Sequence, residues 1–215
     1  MARKQKRRSY DSSSRQESAR ATRQAILTAA RELFLRHGYA ATTMPDIAKA
    51  ADVALDTVYA VVGKKPALFR LLVETAISGE DEAVAAEQRD YVQAIRAEHD
   101  AARKLRTYAS ALCKIQPRLA PLFNALQAAA SLDSDLRSLW QEIAGRRAAN
   151  MRILADDLAS TGRLRPELST SAAADIIWSM NSPEFYLLLV EQRGWSIEEF
   201  EQWLGEAWVR LLLAQ

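Results

Sequence analysis

Thr42–Phe69, TTMPDIAKAADVALDTVYAVVGKKPALF, is the stretch whose reading decides the fold. Thr43 can cap a helix, with Asp46 three residues on as an acidic capping-box partner and Pro45 in the first turn, where a missing N–H costs little. That helix should end near Ala50 or Ala51, with Ile47 and the small Ala48 turned toward a second helix. Asp52 stands where the chain needs a left-handed residue, which Asp tolerates better than most, and Val53 follows as an apolar plug. A second short helix is predicted from about Ala54 to Val61, with Val58 and Val61 facing inward. Two short helices joined by one tight turn have helix-turn-helix spacing.

This second helix leaves Leu55, Asp56, Thr57 and Tyr59 on its other faces. A major groove admits one helix, whose first residues reach base edges while flanking groups hold phosphates. Leu55, Asp56 and Thr57 are therefore expected at base edges, and Tyr59 offers a hydroxyl to phosphate. Lys64 and Lys65 precede Pro66 at the next helix start, where two ammonium groups and the positive helix end favour a phosphate. Thr43 and Met44, at the start of the preceding helix, complete the expected DNA-binding set.

Arg23–Ile77 resembles the N-terminal three-helix DNA-binding domain of the TetR family of transcriptional repressors. The residues that carry the likeness are HGYAATTMPDIAKAADV, TVY and GKKPALF. The later chain is similar to that family's helical ligand-binding and dimerisation domain, with weaker motifs such as SPEFYLLLVEQRGWSIEEFEQW. Three positions depart from the family pattern: Asp52 replaces a turn Gly, Ala54 a Ser or Thr cap, and Val62 an aromatic residue. The resemblance implies an all-α protein with a helix-turn-helix domain over 21–66 and an effector-binding and dimerisation domain over 67–215, and composition adds a disordered basic arm over 1–20.

Charge agrees with such a division. Residues 1–70 carry 14 basic and 6 acidic side chains, and residues 71–215 carry 15 and 21, so the halves stand at +8 and −6. A basic front suits nucleic acid and an acidic back suits a domain that avoids it. Residues 1–20 are polar, Ser-rich and basic, and offer almost nothing to bury. Arg3, Lys4, Lys6, Arg7 and Arg8 precede Ser and Asp rather than an apolar run, which excludes a signal peptide. No apolar run is long enough to span a membrane, so a cytoplasmic protein without a membrane partner is expected.

The remaining chain is predicted helical almost throughout. Ile26, Ala29, Ala30, Leu33 and Phe34 form a stripe over 23–37 that Gly38 should end. Leu68, Phe69, Leu72, Val73 and Ala76 mark a helix over 66–77, the expected lever. Beyond a polar stretch from 78 to about 90, helices are predicted at 101–116, 119–130, 135–160, 170–180, 183–192 and 197–213. The 135–160 helix carries Arg147 on an otherwise apolar stripe. The last helix opens with a capping box of Ser196 and Glu199 and is apolar on a broad face.

That apolar end, together with the resemblance, implies an isologous homodimer. Ile177, Phe200, Trp203, Trp208, Leu211 and Leu212 are expected at its interface. The resemblance also implies a pocket for a small-molecule effector, with Tyr108, Cys113, Trp140, Arg147, Met151 and Trp178 as lining; one cation among apolar groups favours a hydrophobic or weakly acidic ligand. Two histidines, one cysteine and no Gly-rich phosphate loop leave zinc and nucleophilic chemistry without their parts, so neither an enzyme, a metal nor a cofactor is expected. The reading is thus a repressor that binds a palindromic operator on double-stranded DNA and is released by its effector. The alternative is a non-specific nucleic-acid binder acting through the basic arm.

Overall fold

The computed structural model describes the backbone of residues 2–79, 84–131 and 134–214, and side chains from residue 15 onward. Among them no strand forms, and the chain divides into two compact units, Met1–Val73 and Glu74–Gln215.

The first unit holds α1 (Ala2–Ala41), α2 (Met44–Ala50), α3 (Leu55–Val62) and the first nine residues of α4 (Lys65–Ser78). Helix α1 begins far earlier than the sequence predicts. Residues 2–20, expected to be a disordered arm, are helical; Arg, Lys, Gln, Glu and Ala are good helix formers, and residues 15–20 lie exposed without needing a core. The basic side chains at 3, 4, 6, 7 and 8 lie outside the described side chains. Gly38 breaks the helix as expected, at φ 80° and ψ 164°, a conformation glycine adopts without a Cβ penalty. Thr42 seals the end: its Oγ1 donates to Leu33 O at 3.1 Å and Gly38 O at 2.9 Å.

The three helices and the start of α4 close over Ile26, Ala30, Phe34, Ile47, Val58, Leu68, Phe69 and Val73, all buried. Phe34, Tyr39 and Phe69 pack as an aromatic triad with ring centroids 5.2–5.8 Å apart. This triad fastens the Gly38 turn to α4, and such pairs each add about 0.5–1.5 kcal/mol beyond area burial.

The second unit takes the end of α4, a 3₁₀ turn (Ala86–Gln88), α5 (Asp90–Ala97), α6 (Ala101–Ala130), α7 (Ser134–Ser160), α8 (Thr170–Met180), α9 (Pro183–Tyr186) and α10 (Ile197–Leu212). Sequence periodicity misses α5, which lies in the polar stretch and gap before 101. It also splits α6 at its prolines, whereas the helix continues through Pro117 and Pro121. The predicted 183–192 helix is α9 followed by π-helical turns over Leu187–Gln192.

Helix α10 lies along α6, and α7 packs on α6 and α8. Gly205 makes the first contact possible, since a Cβ there would stand 3.3 Å from Arg106 Cγ. The core between these helices includes Leu105, Leu158, Ile177, Phe200, Leu204, Trp208 and Leu212. Arg165 N donates to Leu212 O and Ala214 N to Arg163 O, both at 2.9 Å, so the α7–α8 connection is pinned to the C-terminal segment. No described helix is long and apolar enough to cross a membrane.

Candidate nucleic-acid interface and effector site

In the first unit the capping box forms as read. Asp46 N donates to Thr43 Oγ1 at 3.2 Å and Thr43 N donates to Asp46 Oδ2 at 3.0 Å. Hydrogen bonds from the Thr43 hydroxyl and backbone hold the Asp46 carboxyl below its ordinary pKa. Asp52 has φ 53°, the left-handed geometry the turn requires. Helix α3 follows without a side-chain cap, since Ala54 has no oxygen to give.

The faces of α3 sort cleanly. Val58 and Val62 are buried, four residues apart on one face; Val61, expected inward, is only half-buried, since the inward face runs through Val58 and Val62. Asp56 and Tyr59 are exposed, and Leu55 and Thr57 are half-buried at the rim. Thr43 and Lys64 are exposed as well. Met44 is not available to DNA: it is buried in the unit's core, since the first residue after the cap turns inward here. Lys65 holds its ammonium 4.3 Å above the Tyr39 ring and donates to Ala40 O at 3.4 Å, which carries its charge beside the Gly38 turn. Tyr39 and Thr42, given no role of their own in the sequence reading, position this lysine and the helix entry. Their signal was an aromatic and a Thr flanking a helix-stopping Gly.

In the second unit four of the six expected effector residues meet around a residue the sequence reading missed, Asn181, the C-cap of α8. Its Nδ2 donates to Tyr108 OH and to Met151 Sδ, each at 2.8 Å. Its Oδ1 accepts from Arg147 Nη1 at 2.9 Å, and its backbone oxygen accepts from Gln116 Nε2 at 2.8 Å. The Arg147 guanidinium lies 4.6 Å over the Trp178 ring. Burial pulls the Arg147 pKa down while Glu184 and Tyr108 act against the fall, and burial pushes the Tyr108 hydroxyl up. Gln116 Oε1, Arg147 Nε and Trp208 Nε1 are buried without a partner.

Two expected lining residues lie apart from this node. Trp140 packs edge-on against Phe123 at 5.0 Å. Cys113 is a buried core thiol whose pKa burial pushes up to about 12, so it is inert at neutral pH. Trp208, expected at a dimer interface, is instead fully buried against Tyr108, with ring centroids 5.5 Å apart. Ile177, Phe200 and Leu212 are likewise buried within the single chain, because α6 already covers the inner face of α10. Trp203 remains half-buried, stacked on Phe185 at 5.6 Å, and Leu211 is exposed. Among the described residues no cluster of His, Cys, Asp and Glu could hold a metal ion.

Comparison with known proteins bears on the sequence of the first unit and on the fold. Residues 26–72, the segment from the α1 stripe to the middle of α4, match the family model of bacterial regulatory proteins, tetR family. The fold is similar to NalD, the secondary repressor of the MexAB-OprM multidrug efflux pump in Pseudomonas aeruginosa. That likeness covers 90% of this chain and 97% of NalD, with 24% identity and a TM-score of 0.70. It is also similar to the fatty acid degradation regulator FadR from Bacillus halodurans, over 86% of this chain and 94% of that one, with 20% identity and a TM-score of 0.65. No curated protein matches the sequence. At these identities the structural likeness is one of fold.

Proposed function

We propose that this chain, whose residues 26–72 match the tetR family model, is a DNA-binding transcriptional regulator of that family and not an enzyme, and that it acts as a homodimeric repressor of a palindromic operator, released by a small-molecule effector. The observation that carries this reading is the helix-turn-helix itself: a capped α2, a left-handed Asp52, and an α3 whose outer face presents Asp56 and Tyr59 to solvent. Leu55, Thr57, Thr43, Lys64 and Lys65 surround that face and would supply the remaining base and phosphate contacts.

The effector enters the reading through the Asn181 node. An effector releases DNA only if it prefers the conformation in which the two recognition helices are wrongly spaced. Helix α4 is the element common to both units, and its end is gripped within the second unit. Glu74 accepts from Arg89 Nη2 at 3.1 Å and is also bonded by Arg146, while Ala76 O accepts from Arg118 Nε at 3.0 Å. Arg146 neighbours Arg147 in sequence, so a change at the node has a short covalent route to α4. Support for the dimer comes from apolar side chains left at the surface of the second unit, Leu188, Ile197 and Leu211, beside the half-buried Trp203.

The test is capture of fragmented genomic DNA from the source organism by the purified protein at near-physiological salt, followed by sequencing. A few sites sharing an inverted repeat are expected. Uniform recovery that is lost on deleting residues 1–20 would replace this reading with charge-driven, non-specific binding by the basic N-terminal segment.

A further inference from the structure

We infer that Arg147 is a preorganised carboxylate receptor and that the effector is a monocarboxylate with an apolar body. The inference rests on the effector-regulated reading above and assigns the chemical class that its site recognises.

The guanidinium is held on two sides. Its Nη1 is committed to Asn181 Oδ1, and its face lies over Trp178. Asn181 is itself fixed through its amide nitrogen, by Tyr108 and Met151, and through its backbone oxygen, by Gln116. What remains is the edge formed by Nε and Nη2: Nε is buried and unpartnered, and no protein acceptor is bonded to Nη2. That edge is the fork that a carboxylate fills with two parallel N–H···O bonds. A half-buried guanidinium whose only bonded acceptor is a neutral amide leaves a charge without a bonded counter-ion, a state that an incoming anion relieves.

The surroundings define the rest of the ligand. Tyr91, Tyr108 and Trp208 stack in series at 6.2 and 5.5 Å, and Tyr108 also bonds Met151, so the side chains gathered around Asn181, the residue that holds Arg147, are aromatic and apolar. Arg147 and Trp178 are both partly exposed, which gives a small ligand access at the rim. The opposing charge nearby is Glu184 on α9, which acts on Arg147 through space. Its Oε1 accepts from Gln127 Nε2 at 3.3 Å, its Oε2 is buried and unpartnered, and no ion pair joins it to Arg147. Glu184 therefore repels a bound carboxylate and sets an upper limit on its affinity.

The experiment titrates the full-length protein with straight-chain carboxylic acids from hexanoate to dodecanoate and with 4-phenylbutyrate, each beside its primary amide, following thermal unfolding and heat of binding. The acids should raise Tm saturably and the matched amides should not. Arg147→Lys, which keeps the charge and loses the fork, should weaken acid binding at least tenfold with an unliganded Tm near that of the parent. Glu184→Gln should tighten acid binding several-fold, an effect that a merely structural Arg147 would not produce. Amides that bind as well as the acids, full affinity in Arg147→Lys, weaker binding in Glu184→Gln, or no acid bound at millimolar concentration would each overturn the proposal. The capture of genomic DNA is run without acid, so loss of operator binding with acid binding intact would reject the repressor reading and leave this site standing.

Discussion

Lys65 shows how one side chain serves two ends. Its ammonium rests over Tyr39 and reaches Ala40 O, so removing it loosens the Gly38 turn as well as any phosphate it holds. Salt dependence separates the two roles. Lys65→Ala should lower operator affinity and reduce the slope of log K against log salt by about 0.9 if one phosphate contact is lost; a purely structural role would lower affinity and leave the slope alone. Tyr59→Ala, at an exposed position on α3, should weaken operator binding without changing Tm.

At the same scale, Thr43→Ala removes the α2 cap and should cost about 1 kcal/mol in chemical denaturation. It should also change the acid limb. Asp46 has a folded pKa below its unfolded one, so its contribution is present above the unfolded carboxylate value and is lost as pH falls through the folded one. The Thr43→Ala variant should lack that part of the acid-induced loss. The cap and the Asp52 turn were legible in sequence because both are local chemistry. Met44 was not, since its burial depends on how α2 meets the rest of its unit.

Among the elements, α5 and α6 show where periodicity stops informing. Two prolines four residues apart read as a break at about 117–119, yet α6 continues because both of its flanks are packed and α10 runs beside it. Helix α5 has one fully buried apolar residue, Ile95, too little for a periodic signal. It is held instead by a polar bond: Lys104 Nζ, itself buried, donates to Ile95 O at 2.8 Å and to Asp157 Oδ2 at 2.7 Å. Lys104→Met should therefore destabilise the protein by about 2 kcal/mol and raise amide exchange in residues 90–97 before the rest of the unit. Uniform exchange across α5, α6 and α7 would show that Lys104 has no selective hold on α5.

For the whole molecule, the opposite charges of the two ends were readable from composition, whereas the boundary expected after residue 66 falls after Val73, because the first nine residues of α4 pack into the first unit. The effector node was legible in part. Tyr108, Arg147, Met151 and Trp178 were chosen as unusual residues on apolar helices, but Asn181 and Gln116 join them only through contacts 30 to 73 residues apart in sequence. Ile177, Phe200, Trp208 and Leu212 were misplaced at the interface for a related reason: an apolar helix at a chain end shows that burial is needed, not whether a partner or the same chain supplies it. If the dimer uses the surface that remains, Leu211→Glu should shift the protein toward monomer in light scattering at micromolar concentration, while Tm of the monomeric fraction falls little. A dimer unaffected by this change would move the interface elsewhere.

Helix α4 carries a seam: its residues up to Val73 belong to one unit and those from Glu74 to the other. Recombination between relatives therefore has no loop in which to exchange sensing domains, and must splice through a helical turn. A chimera joined after Val73 keeps Leu68, Phe69, Leu72 and Val73 with the reader, and hands Glu74 to whatever arginines the new sensor supplies. Joined before Phe69, it would orphan Phe34 and Tyr39 from their third ring. The heritable module boundary is thus a peptide bond inside a helix, and grafts should succeed or fail with its placement.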